Sequence, residues 1–194
     1  MAIITTTLEL IRARLNESIQ NLDRRHEDWV ILSNLVDVEG KPYEATANKI
    51  VMCLTSVADE KVISTYNPNV RGSAGDYAQV APPLYIDVYV AFIANFQNQN
   101  YRDGLTALSR TISYFQENPW FSHQNLPDLD RAIDKINLEF VNLDPVDLNY
   151  ITGMLGIKYL PSVFYKLRLL PFVGKTVTST APAIGGYSQP SNVE

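Results

Sequence analysis

Residues 84–92 read Leu84-Tyr85-Ile86-Asp87-Val88-Tyr89-Val90-Ala91-Phe92. Leu84, Ile86, Val88, Val90 and Phe92 alternate with Tyr85, Asp87, Tyr89 and Ala91. Period two is the signature of a β-strand, because successive side chains point to opposite faces. One face of this strand is purely apolar. The other is aromatic with one acid, which suits a face covered by helices or by a neighbouring subunit.

Upstream, residues 59–82 hold Asn67-Pro68, Arg71-Gly72, Gly75-Asp76 and the pair Pro82-Pro83. This is a long connection without periodicity of its own, a kind that is usually functional or disordered. Before it, Ile50 to Val57 and Trp29 to Val36 are short, apolar and β-branched, and read as two more strands. At the start, Ile4, Leu8, Ile11, Leu15, Ile19 and Leu22 recur in steps of three and four, one face of a helix. Its opposite face carries Glu9, Arg12, Asn16, Glu17 and Gln20.

Downstream, a helix from Arg102 to Asn118 buries Leu105, Leu108, Ile112 and Phe115, and Pro119 ends it. Trp120-Phe121 then falls in a loop, either packed on the core or offered to a partner. Residues 131–142 alternate again, with Ile136, Leu138 and Phe140 on one face and Lys135, Asn137 and Glu139 on the other. Asp144-Pro145-Val146-Asp147 is a helix start, with an Asp cap, Pro at the first position and acid in the first turn. Gly156 suits the end of that helix. Ser162 to Phe172 is a last strand, with Val163, Tyr165, Leu167 and Leu169 on one face and Lys166 and Arg168 on the other. The order is α-β-β-loop-β-α-β-α-β. It predicts a single α+β domain, a mainly antiparallel or mixed sheet with packed helices, over residues 1–173.

From Gly174 the composition changes. Of the final 21 residues, 11 are Gly, Ser, Thr or Pro. Residues 174–194 read either as a frayed end or as an arm that orders on a partner, with Tyr187 as its aromatic contact.

The whole chain has 194 residues, a size that suits one domain. Charged residues make up 19%, below the usual share of about 25%. The formal net charge is −5, so nothing draws the chain toward phosphate backbones or anionic lipid. No nucleic-acid partner is expected. Low charge with 11 Tyr, 7 Phe and 2 Trp suggests a surface partly covered by protein.

The single cysteine, Cys53, lies in an apolar run and reads as a small buried hydrophobe rather than a reactive thiol. The two histidines, His26 and His123, belong to no metal-binding spacing. No G-x-S-x-G, P-loop or dinucleotide fingerprint occurs, so no catalytic, cofactor or metal site is expected. Residues 1–7 lack a basic leader, and no apolar run reaches 18 residues, so no direct membrane insertion is expected.

One stretch is more distinctive. Asn142-Leu143-Asp144-Pro145-Val146-Asp147-Leu148-Asn149 leads into Gly156-Ile157-Lys158-Tyr159-Leu160-Pro161-Ser162-Val163-Phe164-Tyr165-Lys166-Leu167-Arg168. This resembles the cap, or tail-terminator, family of phage-tail-like extracellular contractile injection systems. Strand 84–92 after its Pro-rich loop, and the helix from Tyr101 to Phe115-Gln116, are similar to the family's central strand and following helix. The resemblance covers residues 3 to 173. Two departures stand out. Ile151-Thr152 replaces a frequent Trp, and Ala58-Asp59-Glu60 is a reduced form of an acidic cluster.

The resemblance implies structural work rather than catalysis. It implies a ring, expected to be a homo-hexamer, that ends the inner tube and sheath and stabilises the extended sheath. The partners implied are further copies of the chain and the sheath and inner-tube proteins. Assembly would occur in the bacterial cytoplasm, and the product would sit at the distal end of the particle. Candidate partner-interface residues are Tyr85, Tyr89, Trp120, Phe121, Lys158, Tyr159, Lys166, Arg168 and Tyr187. The basic ones would meet acidic groups of a neighbour. The alternative at these positions is that Tyr159 packs and the basic residues are simply solvated. Two other functions stay open at this point. One is an adaptor that binds another component without forming rings, and the other is an enzyme using Asp59, Glu60 or Asp76.

Overall fold

Helix α1 spans Ile3–Asp23 and fully buries Ile11, Leu15 and Ile19, as its periodicity requires. The computed structural model describes residues 2–23, 27–60, 69–71, 77–80, 84–172 and 177–181. After α1 come β1 (Val30–Leu32), β2 (Lys49–Asp59), β3 (Asn69–Arg71), β4 (Tyr77–Val80) and β5 (Leu84–Asn95). They are followed by α2 (Tyr101–Glu117), β6 (Trp120–Ser122), β7 (Lys135–Val141), α3 (Pro145–Met154), β8 (Ser162–Phe172) and β9 (Val177–Ala181). The α+β class and the main predicted elements are present. The sequence missed four short strands: β3 and β4 in the irregular segment, β6 in the Trp120-Phe121 loop, and β9 in the terminal stretch.

The chain divides into two compact units. The first, Met1–Glu60 with Tyr85–Pro171, holds a six-stranded sheet in the order β1-β2-β5-β8-β7-β6. β1 runs parallel to β2, while β2–β5, β7–β8 and β6–β7 are antiparallel, so the sheet is mixed. The second unit, Lys61–Leu84 with Phe172–Glu194, holds the antiparallel three-stranded sheet β3-β4-β9.

Alternation along β5 sorts its side chains between two layers. Ile86, Val88, Val90 and Phe92 join the larger core, with Ile11 and Leu15 of α1 and Ala107 and Phe115 of α2. Phe92 is fully buried, its ring 5.1 Å from that of Phe115 and 5.9 Å from that of Tyr165. Ala91 and Ile93 point the other way. With Val51, Cys53 and Phe164 they form a smaller core, closed by Leu148, Ile151 and Leu155 on and just after α3. Burial there pushes the Cys53 thiol up to about 11, so it stays protonated and inert.

One polar residue of α1, on the face opposite the apolar stripe, is buried: Asn16. Its Oδ1 accepts from the backbone N–H of Trp29 and Val30, at 3.1 and 2.9 Å, and its Nδ2 donates to the Val30 carbonyl at 2.7 Å. β1 is an outer strand of its sheet, and buried backbone groups must find partners. Asn16 supplies them where no further strand does.

The start of α3 follows its sequence signals. The Asp144 carboxylate accepts from the N–H groups of Val146 and Asp147, both at 2.8 Å. Gly156, just past the helix, adopts φ +66°, a conformation that favours glycine.

Candidate functional site

The α3-side face of the sheet changes character along its strands. Toward the end of β5 it is apolar and lies under α3. Toward the start of β5 it carries charge. Asp87 on β5, Lys166 and Arg168 on β8, Glu139 on β7 and Glu60 just past β2 come together there. The Lys166 ammonium lies 2.7 Å from Asp87 Oδ2 and 5.7 Å from the centre of the Tyr89 ring. Arg168 places Nε and Nη2 each 2.6 Å from Glu60 Oε2, and Nη1 2.8 Å from Glu139 Oε1. The Glu60 and Asp87 side chains are only 3% and 4% exposed.

Burial lifts the Asp87 carboxyl above its ordinary value, and this outweighs the opposing pull of Lys166. Lys166 and Arg168 are both raised, chiefly by the hydrogen bonds they donate to Asp87 and Glu60 respectively. Asp87 Oδ1 is buried without a hydrogen-bond partner among the described residues. The strip holds cations against carboxylates. Of the acids considered for catalysis, Glu60 is held by Arg168, Asp59 is exposed and Asp76 lies outside the described residues. Among the described residues no group of three His, Cys, Asp or Glu is placed to hold a metal ion. None of the described helices is long and apolar enough to cross a membrane.

The predicted interface residues fall in different places. Lys166 and Arg168 satisfy acids of their own chain, so they are not the free cations the sequence suggested. Tyr85 and Tyr89 are half-buried beside them. Trp120 is exposed, with the Lys135 ammonium 5.0 Å above its ring. Phe121 is a correction: it is 1% exposed and packs in the larger core near Tyr114. The two aromatics sit in β6, where neighbours must face opposite ways. Lys158 and Tyr159 are exposed. Tyr187 lies outside the described residues.

Lys158 and Tyr159 also line a groove of about 800 Å³ at the end of β5. Its walls include Leu35, Pro42, Phe96 and Tyr101, and Lys158 is the charged residue among its described lining. Close by in sequence, α3 leaves Val146, Tyr150 and Met154 exposed at 58%, 67% and 76%. Sequence reasoning missed this second apolar stripe, although its i, i+4, i+8 spacing was available.

The chain belongs to the family of the Pvc16 N-terminal domain, which matches residues 6–185. Its fold is similar to that of a PVC sheath/tube terminator of an extracellular contractile injection system, in the extended state. That match has 13% identity, a TM-score of 0.57 and coverage of 93% of this chain and 62% of the other. It is also similar to the tube-terminating cap of the anti-feeding prophage, at 13% identity and TM-score 0.56, over 91% of this chain and 60% of that one. The chain thus spans about three fifths of each of these proteins. None of the curated proteins compared with it matches.

Proposed function

We propose that this chain is a structural terminator subunit of a contractile injection system. In this reading it forms a ring, a homo-hexamer, that ends the inner tube and sheath and stabilises the extended sheath. It is built in the bacterial cytoplasm and ends at the distal tip of the particle. The observation that carries the reading is the terminator-like fold over more than nine tenths of the chain, together with family membership. The surface agrees. A chain of 19% charged residues that pairs Lys166 and Arg168 with its own acids, and exposes Tyr150, Met154 and Tyr159, is suited to being covered by protein.

Residues 174–194 are proposed as an arm that adds attachment to the particle. Within this stretch, Val177–Ala181 forms β9, which pairs with β4 of the same chain. Truncation after Val173 is expected to leave the melting of the first unit in place while loosening attachment.

The test is imaging of particles made with and without the protein. Particles lacking it are expected to show sheaths of uneven length and unfinished ends. Normal length and a normally finished end without it would overturn the reading. An adaptor that binds without ring formation would instead remain a single copy per particle.

A further inference from the structure

We infer that the contact between neighbouring copies in the proposed ring is made by the outer stripe of α3 on one copy entering the groove beside Lys158 and Tyr159 on the next. This rests on the ring reading above and specifies its interface. The inner side of α3 is already used, with Leu148 and Ile151 packed on the smaller core. Val146, Tyr150 and Met154 therefore project outward and are exposed. Three large apolar side chains on one helix line form an anchor row of the kind that fills grooves.

The groove offers the matching shape. At about 800 Å³ it has room for several side chains, and Phe96, Tyr101 and Leu160 give it apolar walls. The charges match as well. Asp144 and Asp147 flank the start of the stripe, and Lys158 stands at the groove. Opposite charges at the edge of a contact favour the correct pairing and penalise others. Each chain carries both halves, so copies join head to tail. Such contacts close into a ring when the rotation between copies allows it. The occupant of the groove is therefore a second copy of the chain rather than a small molecule.

The decisive experiment uses two full-length charge variants. Asp147→Lys puts a cation on α3 beside the stripe, where the remaining acid, Asp144, is occupied in capping the helix, and leaves the groove edge basic. Lys158→Asp leaves a chain that is acidic at both. Each alone should self-associate less than the wild type, whereas an equimolar mixture should recover association, because every stripe then meets a groove of opposite charge. Association is read by mass photometry of the proteins alone and after addition to particles made without the protein. Circular dichroism confirms that each variant is folded.

Tyr150→Ala should weaken association about tenfold or more, as expected for a central aromatic anchor. If Tyr150→Ala and both charge variants form rings like the wild type, or if the mixture behaves no better than its components, this interface is wrong while the ring stands. If the wild type forms no ring in either setting, the ring reading fails first.

Discussion

The two faces of the six-stranded sheet are built on different principles. The face under α1 and α2 is continuous hydrocarbon, from Ile50 and Met52 through Val88, Val90 and Phe92 to Leu167 and Ile136. The opposite face is split. One half is apolar beneath α3, and the other holds the Asp87–Lys166 and Glu60–Arg168–Glu139 pairs. Burial of apolar area stabilises without regard to direction. Buried ion pairs contribute little net stability, but losing one partner is costly. The first face therefore holds the fold together, while the charged half of the second ties β8 to β5, β7 and the end of β2 through specific pairs.

The largest expected effect lies on the first face. Phe92→Ala should destabilise by about 3–5 kcal/mol, read as a shift in the urea midpoint. On the second face, Arg168→Ala removes the guanidinium from the buried Glu60 carboxylate and should cost about 2 kcal/mol, below the usual loss because Arg168 is itself 25% exposed. The double variant Arg168→Met with Glu60→Gln should cost less than Arg168→Ala alone. If it costs more, the strip contributes real attraction and the contrast between faces weakens.

Asn16→Leu tests the boundary between helix and sheet. It leaves the Val30 backbone unpaired and should cost about 1–3 kcal/mol, with early amide exchange at β1. The smallest effect is one of pH. The Asp87 carboxyl is raised above 3.8, so the folded chain holds that proton more tightly than the unfolded chain does. Its stabilising contribution is present at the lowest pH and is lost as pH rises from 3.8 through the folded value. Asp87→Asn should remove this slope from melting temperatures measured across the acidic range. An unchanged slope would place the titration elsewhere.

Much of this was legible in the sequence. Strict alternation gave β5 and β8. Asp144, Pro145 and Gly156 marked both ends of α3, because capping chemistry is local. The misses were of two kinds. β3, β4 and β6 have three or four residues, too few for a period to show. Missing β6 also hid the burial of Phe121, since a strand reading puts Trp120 and Phe121 on opposite faces. The burial of Asn16 was not visible, because helical spacing cannot show that a polar side chain feeds a neighbouring backbone. Among the candidate site residues, the partners of Lys166 and Arg168 were invisible for another reason. Arg168 meets Glu60 across 108 positions of chain, a distance that only the sheet order closes.

The small three-stranded sheet carries a consequence for biosynthesis. Tyr77 of β4 pairs with Ala181 of β9, and every residue between them is made before the pair can form. Closing so long a loop is slow compared with forming a local hairpin. β3 and β4 leave the ribosome early and wait for their third strand. A chain released before Val177 can complete no such sheet. Its presence therefore requires translation through Ala181.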